Sequence, residues 1–267
     1  MRGKLNNSRN IIFVGIISVF TAFLLGLIIL AISMVLIKGL PNLKTSFQTP
    51  EIKFALKLSL YTSIISTLLC IVFAVPIAYG LVRFNFWGKR IVNTIIDIPI
   101  ALPQNVAGIA LLILFGNTGF GQYLEALGLK FVFTSKGIII AQFFVNVPYM
   151  IRILKSTIAD IDPRMEFISR TLGCSRAQSF LKVTLPLAQN GFVASIVITW
   201  ARALGAFGAV LMIAGATRMK TETLPVSLYL NLSCGDLEAA LAVATILIII
   251  SILSLVIFEF LGNEKVC

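Results

Sequence analysis

Histidine is absent from the 267 residues. With it go imidazole general-base chemistry, His-ligated zinc and b-type haem. The four cysteines, Cys70, Cys174, Cys234 and Cys267, have no CxxC spacing and read as small apolar fillers rather than a disulfide framework. The ionisable residue best placed for chemistry is Arg202, which stands inside an apolar run at 185–214. It lies about 15 residues into that run, or roughly 22 Å along a helix at about 1.5 Å per residue. Such a charge either makes a path attractive to anions or is structural, bonded to carbonyls or reaching to an interface. Gly205, Gly208 and Gly215 follow on the same expected helix, as close-packing positions or as a hinge. Pro99 and Pro103 remove backbone hydrogen bonds at the start of another run. With Gln104 and Asn105 they either kink the chain near an interface or leave freed backbone groups lining a route. Asp97 is too near the end of its run to meet Arg202, and is expected to face headgroups or the basic segment Arg83 to Arg90.

The elements that must position these residues are apolar helices. Hydrophobic residues make up 58% of the chain and charged ones 12%, about half the charge of a soluble domain. A crossing needs about 20 residues. Six runs qualify: Ile11 to Ile37, Leu58 to Val82, about 95–115, about 137–154, about 185–214, and Ala239 to Phe258. The first is too long for the apolar region of a cleaved leader and is expected to be retained. An even count puts both termini on one side. With the termini inside, thirteen Lys and Arg lie on cytoplasmic segments against eight outside, so the positive-inside rule places the termini in the cytoplasm. In that topology Cys70 lies in lipid, Cys234 outside, and Cys174 and Cys267 inside. The net charge of +11 is read as this bias, and nucleic acid is not an expected partner because no patch interleaves basic and aromatic residues. Residues 1–267 are expected to form one membrane domain with a core at 50–260, in the plane of a bilayer.

The longest cytoplasmic segment, 155–186, has strong local order. Asp162-Pro163 is an N-cap followed by proline at the first helical position. Ile161, Met165, Ile168 and Leu172 then form one apolar stripe, with Arg164, Glu166 and Arg170 on other faces. Gly173 ends this helix, Ser175 and Gln178 make a capping box that opens a second, and Leu185-Pro186 begins the next span. The spacing fits either a helix lying on headgroups or one that docks in a groove of a soluble partner.

The segment Phe167-Ile-Ser-Arg-Thr-Leu-Gly173, followed after nine residues by Val183-Thr-Leu-Pro186, resembles the EAA loop of permease subunits in ATP-binding-cassette importers. Gly173, Leu185 and Pro186 match that pattern, and Val183 replaces its isoleucine. The Glu-Ala-Ala triplet does not match: Phe167, Ile168 and Ser169 stand there, with Glu166 one position early. The likeness extends over about 50–260. Ala74-Val-Pro-Ile-Ala-Tyr79, Arg83-Phe-Asn-Phe-Trp-Gly-Lys89, Asp97-Ile-Pro-Ile-Ala-Leu-Pro103 and Ala201-Arg-Ala-Leu-Gly-Ala-Phe-Gly-Ala209 resemble the oxyanion branch, which serves molybdate, tungstate and sulfate.

The resemblance implies an all-α, type I importer permease that moves a tetrahedral oxyanion by alternating access. It implies a homodimer of permeases, two ATP-binding subunits and an external binding protein. ATP and magnesium would sit on the partner subunit, since this chain has no P-loop and is expected to bind no cofactor and to be no enzyme itself. With the triplet missing, the expected anchors for the ATPase are the apolar side chains around Phe167 and Leu172, not a glutamate. The expected plasma-membrane location follows from the same reading. A rival reading, a self-sufficient secondary transporter or channel, usually needs several embedded carboxylates, and only Asp97 and Glu259 are offered, both near span ends.

Overall fold

Apolar runs with their backbone groups satisfied internally can only be helices in lipid, and the computed structural model, which describes residues 2–263 and side chains from Phe13 to Ile257 and of Glu259, has no strand among those residues. The chain begins with α1 (Arg2–Gly39), α2 (Leu43–Ser46) and α3 (Pro50–Arg83). Then come α4 (Lys89–Ala101), α5 (Gln104–Gly116), α6 (Gly119–Ala126) and α7 (Ser135–Ala159). The loop region holds α8 (Pro163–Thr171), α9 (Arg176–Ser179), a π-helical turn Phe180–Thr184 and α10 (Leu185–Leu187). The last part comprises α11 (Gln189–Leu204), α12 (Gly208–Ala214), α13 (Leu224–Ser233) and α14 (Leu237–Asn263).

Four helices are long and apolar enough to cross a membrane unbroken: α1, α3, α7 and α14. Two bent helix pairs bring the count among the described residues to six if each is one crossing, and both depart from the straight spans expected. The run at 95–115 breaks at Leu102-Pro103, where α4 and α5 meet at 109° rather than at a mild kink. Pro103 cannot donate a backbone bond, and the residue before a proline is pushed to extended geometry, as Leu102 is at ψ 138°. The run at 185–214 is not one helix either. Leu185-Pro186 end the loop's second helical stretch, the chain bends by 78° near Ala188, and α11, of 16 residues, is one arm of this bent pair. It stops at Leu204, so Gly205 caps it and Gly208 opens α12 instead of continuing it. Gly215, at φ 71°, closes α12. Lys265 and Cys267 lie outside the described residues.

The centre of the bundle is α3 packed on α7. The face of α3 turned inward reads Ser59, Thr62, Ser63, Ser66, Thr67, Cys70, Ala74 and Ala78, all buried and all small. Without a hydrophobic force between helices in lipid, small side chains are what let backbones approach. Thr62 Oγ1 donates to the Leu58 carbonyl and Thr67 Oγ1 to that of Ser63, so these hydroxyls cost little in an apolar setting. Cys70 is therefore wholly buried between α3 and α7, with its Sγ 3.9 Å from the Phe143 carbonyl, and does not face lipid. A second core joins α5, α7 and α12 through Ala107, Leu111, Ile138, Ala209 and Ile213. In contrast, α1 meets the rest of the chain along α14, near Gly39 and Thr245.

The α5–α12 contact has no room to spare. A Cβ on Gly108 would lie 2.7 Å from the Ala209 carbonyl oxygen and 2.7 Å from Met212 Cβ. Gly108→Ala is expected to destabilise the protein by about 1–3 kcal/mol through overpacking, read as a lower melting temperature in detergent. Gly119→Ala, whose Cβ meets nothing within 4 Å, is expected to leave the melt unchanged.

Candidate functional site

The loop between α7 and α11 is built from local signals. Asp162 Oδ1 accepts from the Arg164 amide and Pro163 occupies the first turn of α8. Gly173 turns the chain at φ 94°, a conformation in which a side chain is strained. Ser175 and Gln178 then exchange backbone and side-chain bonds in a full capping box. Beyond α9, a π-helical turn carries Thr184 back toward α8.

Glu166, expected to be no anchor, is the buried hub of this region. Its Oε1 accepts from Arg83 Nε at 2.7 Å and from Thr184 Oγ1 at 2.7 Å. Its Oε2 accepts from the Tyr79 hydroxyl at 2.8 Å. Arg83 Nη2 also donates to the Ile161 carbonyl at 3.0 Å, tying the loop's entry to the same helix end. Tyr79 packs edge-on against Phe180, with ring centroids 4.9 Å apart. Burial alone would push the Glu166 carboxyl up, but the bonds from Thr184, Arg83 and Tyr79 outweigh it and hold it below the ordinary carboxylate range. Neither Tyr79, Arg83 nor Thr184 stands out in the sequence. The available signals are the one-turn spacing of Tyr79 and Arg83 and the lone acid among the cations of α8.

The clamp orients α8. Met165, Ile168 and Leu172 are 51%, 56% and 81% exposed, so the apolar stripe faces outward. Pro163, Glu166, Phe167 and Arg170 occupy the opposite side, about 180° round at about 100° per residue, where Glu166 is buried and Phe167 stays exposed. Phe167 and Leu172, expected to act together, therefore point in different directions. Arg164 is exposed as well. Leu185 and Pro186 lie beyond the π-helical turn, at the bend into α11.

The residues expected along a path fall into two groups. Gly208 sits directly against α5: a Cβ there would collide with Asn105 Oδ1 and lie 3.1 Å from Gln104 Cβ. Pro103, Gln104, Asn105 and Gly208 are thus one cluster where two helices begin. Arg202 is in the last turn of α11, exposed in the single chain, with its guanidinium carbon 3.6 Å from the Tyr149 ring centroid. This is a cation–π contact from α7, neither of the structural alternatives expected. Gly205 follows at the helix end. Pro99 lies within α4, on the far side of the 109° bend from Gln104. Asp97 pairs with Arg152 at 3.2 Å rather than with the Arg83 to Arg90 segment. Two buried polar groups have no counterpart among the sequence expectations: Gln142 Nε2 donates to the Ala203 carbonyl at 2.9 Å, and Glu222 Oε2 accepts from the Met219 amide at 3.1 Å. No group of metal-binding side chains occurs among the described residues.

Removing one partner of a buried ion pair leaves the other uncompensated, at a cost of about 3–5 kcal/mol. Arg83→Ala is expected to lower the melting temperature and to raise proteolysis in 160–187. A milder loss is expected for Thr184→Val. The pH dependence has a defined sign. Because the folded carboxyl titrates below its unfolded value of about 4.3, the clamp is fully present above that value and is lost as pH falls through the folded one. Melts of wild type and Glu166→Gln are expected to differ at neutral pH and to converge below the carboxylate range.

Comparison with known proteins places this geometry. The family model described as "binding-protein-dependent transport system inner membrane component" matches residues 70–264. The sulfate transport system permease protein CysT of Salmonella typhimurium is 34% identical over 207 residues, covering 77% of this chain and 75% of that one. The molybdenum transport system permease protein ModB of Mycobacterium bovis is 37% identical over 214 residues, covering 80% and 81%. Among solved structures, a bacterial ABC transporter that imports the acidic polysaccharide alginate aligns over 100% of both chains with a TM-score of 0.74 at 17% identity. The MetNI methionine ABC transporter aligns over 80% of this chain and 95% of its own with a TM-score of 0.63 at 17% identity. At that identity the two structures show the fold alone. The chain belongs to the binding-protein-dependent transport system inner membrane components, the permease subunits of ABC importers.

Proposed function

We propose that this permease carries a tetrahedral oxyanion into the cytoplasm, with molybdate or tungstate as substrate and sulfate or thiosulfate as the alternative within the same class. What supports the substrate class is the pair of relatives whose names specify molybdenum and sulfate, together with Arg202 exposed on an otherwise uncharged helix. Two copies of the chain would enclose the path in the plasma membrane, with both termini in the cytoplasm. An external binding protein would deliver the anion. ATP and magnesium would be held by two separate ATP-binding subunits, and hydrolysis would occur there.

The observation that carries the reading is α8, held by the Glu166 clamp with Met165, Ile168 and Leu172 facing outward. A helix fixed on one side and apolar on the other suits a groove on a soluble ATPase. Closure of the ATPases on ATP would move the two loops together, and the clamp would pass that displacement to the end of α3. Arg202, Gly205, Pro99 and the cluster of Pro103, Gln104, Asn105 and Gly208 are the proposed lining of the path. A two-state rocking motion of this kind is a standard route to alternating access.

Co-expression with the partner ATPase in vesicles is expected to give ATP-dependent uptake of labelled molybdate that unlabelled tungstate competes away more strongly than sulfate. Uptake without any ATPase would refute the reading. Leu172→Asp is expected to abolish co-purification of the ATPase while leaving the permease folded. Arg202→Gln is expected to cut uptake about tenfold, the scale of one charge-assisted hydrogen bond. Unchanged uptake would assign Arg202 to structure.

A further inference from the structure

Two neighbouring cavities near the end of α3 share Tyr79 and Arg176, and the transport reading gives neither an occupant. One, of about 270 Å³, opens beside the clamp and is lined in part by Tyr79, Arg83, Glu166, Arg170 and Arg176. The other, of about 320 Å³, is walled by Val75, Pro76, Ala177 and Phe180 and shares Tyr79 and Arg176 with the first. The first carries the charged side chains together with Val82, Phe84, Pro163 and Phe167, and the second is mainly apolar.

Charge distinguishes the occupant. Arg83 is committed to Glu166 and to the Ile161 carbonyl. Among the described residues no carboxylate pairs with Arg170 or Arg176, and both are exposed. Arg176 is held over the Phe84 ring at 5.7 Å. The polar cavity therefore offers two guanidiniums to an anion. Depth distinguishes it further. Val75 precedes Arg83 by eight residues, so the apolar cavity extends about 12 Å up α3 at about 1.5 Å per residue, into the membrane. Trp87 is 96% exposed in the turn after α3, beside exposed Phe84 and Phe86. Aromatic side chains at a span end mark the headgroup level. The polar cavity also lies on the side of α8 opposite the Met165, Ile168 and Leu172 stripe, so a protein docked on that stripe leaves it open.

We propose that the two cavities form one binding site for an anionic phospholipid. Its phosphate lies between Arg170 and Arg176 and the start of an acyl chain runs along Val75, Pro76 and Phe180. A lipid so placed bridges α3, α8 and α9, and joins the loop to the bilayer as the clamp joins it to α3.

Native mass spectrometry of the full chain in mild detergent tests this, after incubation with equal amounts of phosphatidylglycerol and phosphatidylcholine. Wild type is expected to retain phosphatidylglycerol in preference by about thirtyfold, the scale of two cations acting on an anionic lipid. The double variant Arg170→Gln/Arg176→Gln is expected to lose that preference, and Arg170→Lys/Arg176→Lys to keep it. Ala177→Trp, which fills the apolar cavity and keeps both arginines, is expected to lose the bound lipid. Arg90→Gln, an exposed cation outside both cavities, is expected to behave as wild type. Unchanged preference in the double glutamine variant, or equal loss in Arg90→Gln, overturns the site. Displacement of the lipid by excess inorganic phosphate makes it a free-anion pocket and overturns the lipid assignment. Melting curves separate loss of lipid from loss of fold: a glutamine variant that melts as wild type yet keeps its phosphatidylglycerol counts against the proposal.

Discussion

A carboxylate withdrawn from water has to be given its donors, and Glu166 takes two of them from the distant end of α3 and one from Thr184 in its own loop. That requirement organises the loop end of the molecule. Tyr79 and Arg83 stand one turn apart on α3 and face the same way. Thr184, at the end of a wider, π-helical turn after Ser179, reaches the same oxygen as Arg83. The result is a short helix whose inner side is bound by charge and whose outer side is left apolar. An apolar substitute for the clamp would pack as well, but would not fix the rotation of α8 about its own axis. Directional bonds do fix it.

The membrane part obeys a different rule. Where lipid removes the hydrophobic drive between helices, closeness has to come from missing side-chain atoms. The inward face of α3 is small from Ser59 to Ala78, Gly108 lets α5 touch the backbone of α12, and Gly208 leaves room for the Asn105 side chain. Breaks in the helices are tolerated where their loose ends find neighbours. The ends near Gln104 and Gly208 lie against each other, and Gln142 bonds the Ala203 carbonyl near the end of α11.

Features set by neighbouring residues are legible in the sequence. The caps at Asp162 and Ser175, the turn at Gly173 and the proline start of α3 each depend on a few adjacent positions, and each is present. Six apolar runs are legible because hydropathy reports burial in lipid. Hydropathy does not report direction, so the 109° and 78° bends and the stop at Leu204 leave no trace in it. The Glu166 clamp is hidden for a related reason. Its partner Arg83 is 83 residues away, and the triplet pattern points to Phe167, one position beyond the residue that is buried. Arg202 stands out by its unusual setting, whereas Tyr149 beneath it belongs to another helix and has no sequence signature.

The isolation of α1 has a mechanical consequence. From Phe13 to Leu30 its large side chains are exposed on every side, and it meets α14 only near its end. Within one chain its main contact is with α14, so lipid or a second copy of the chain must cover the remaining faces. Tension applied to α1 would therefore draw it from its own chain as a separate step, with a force set by whatever covers those faces. The tightly interlocked pair of α3 and α7 would resist until much later, with a force set by side chains.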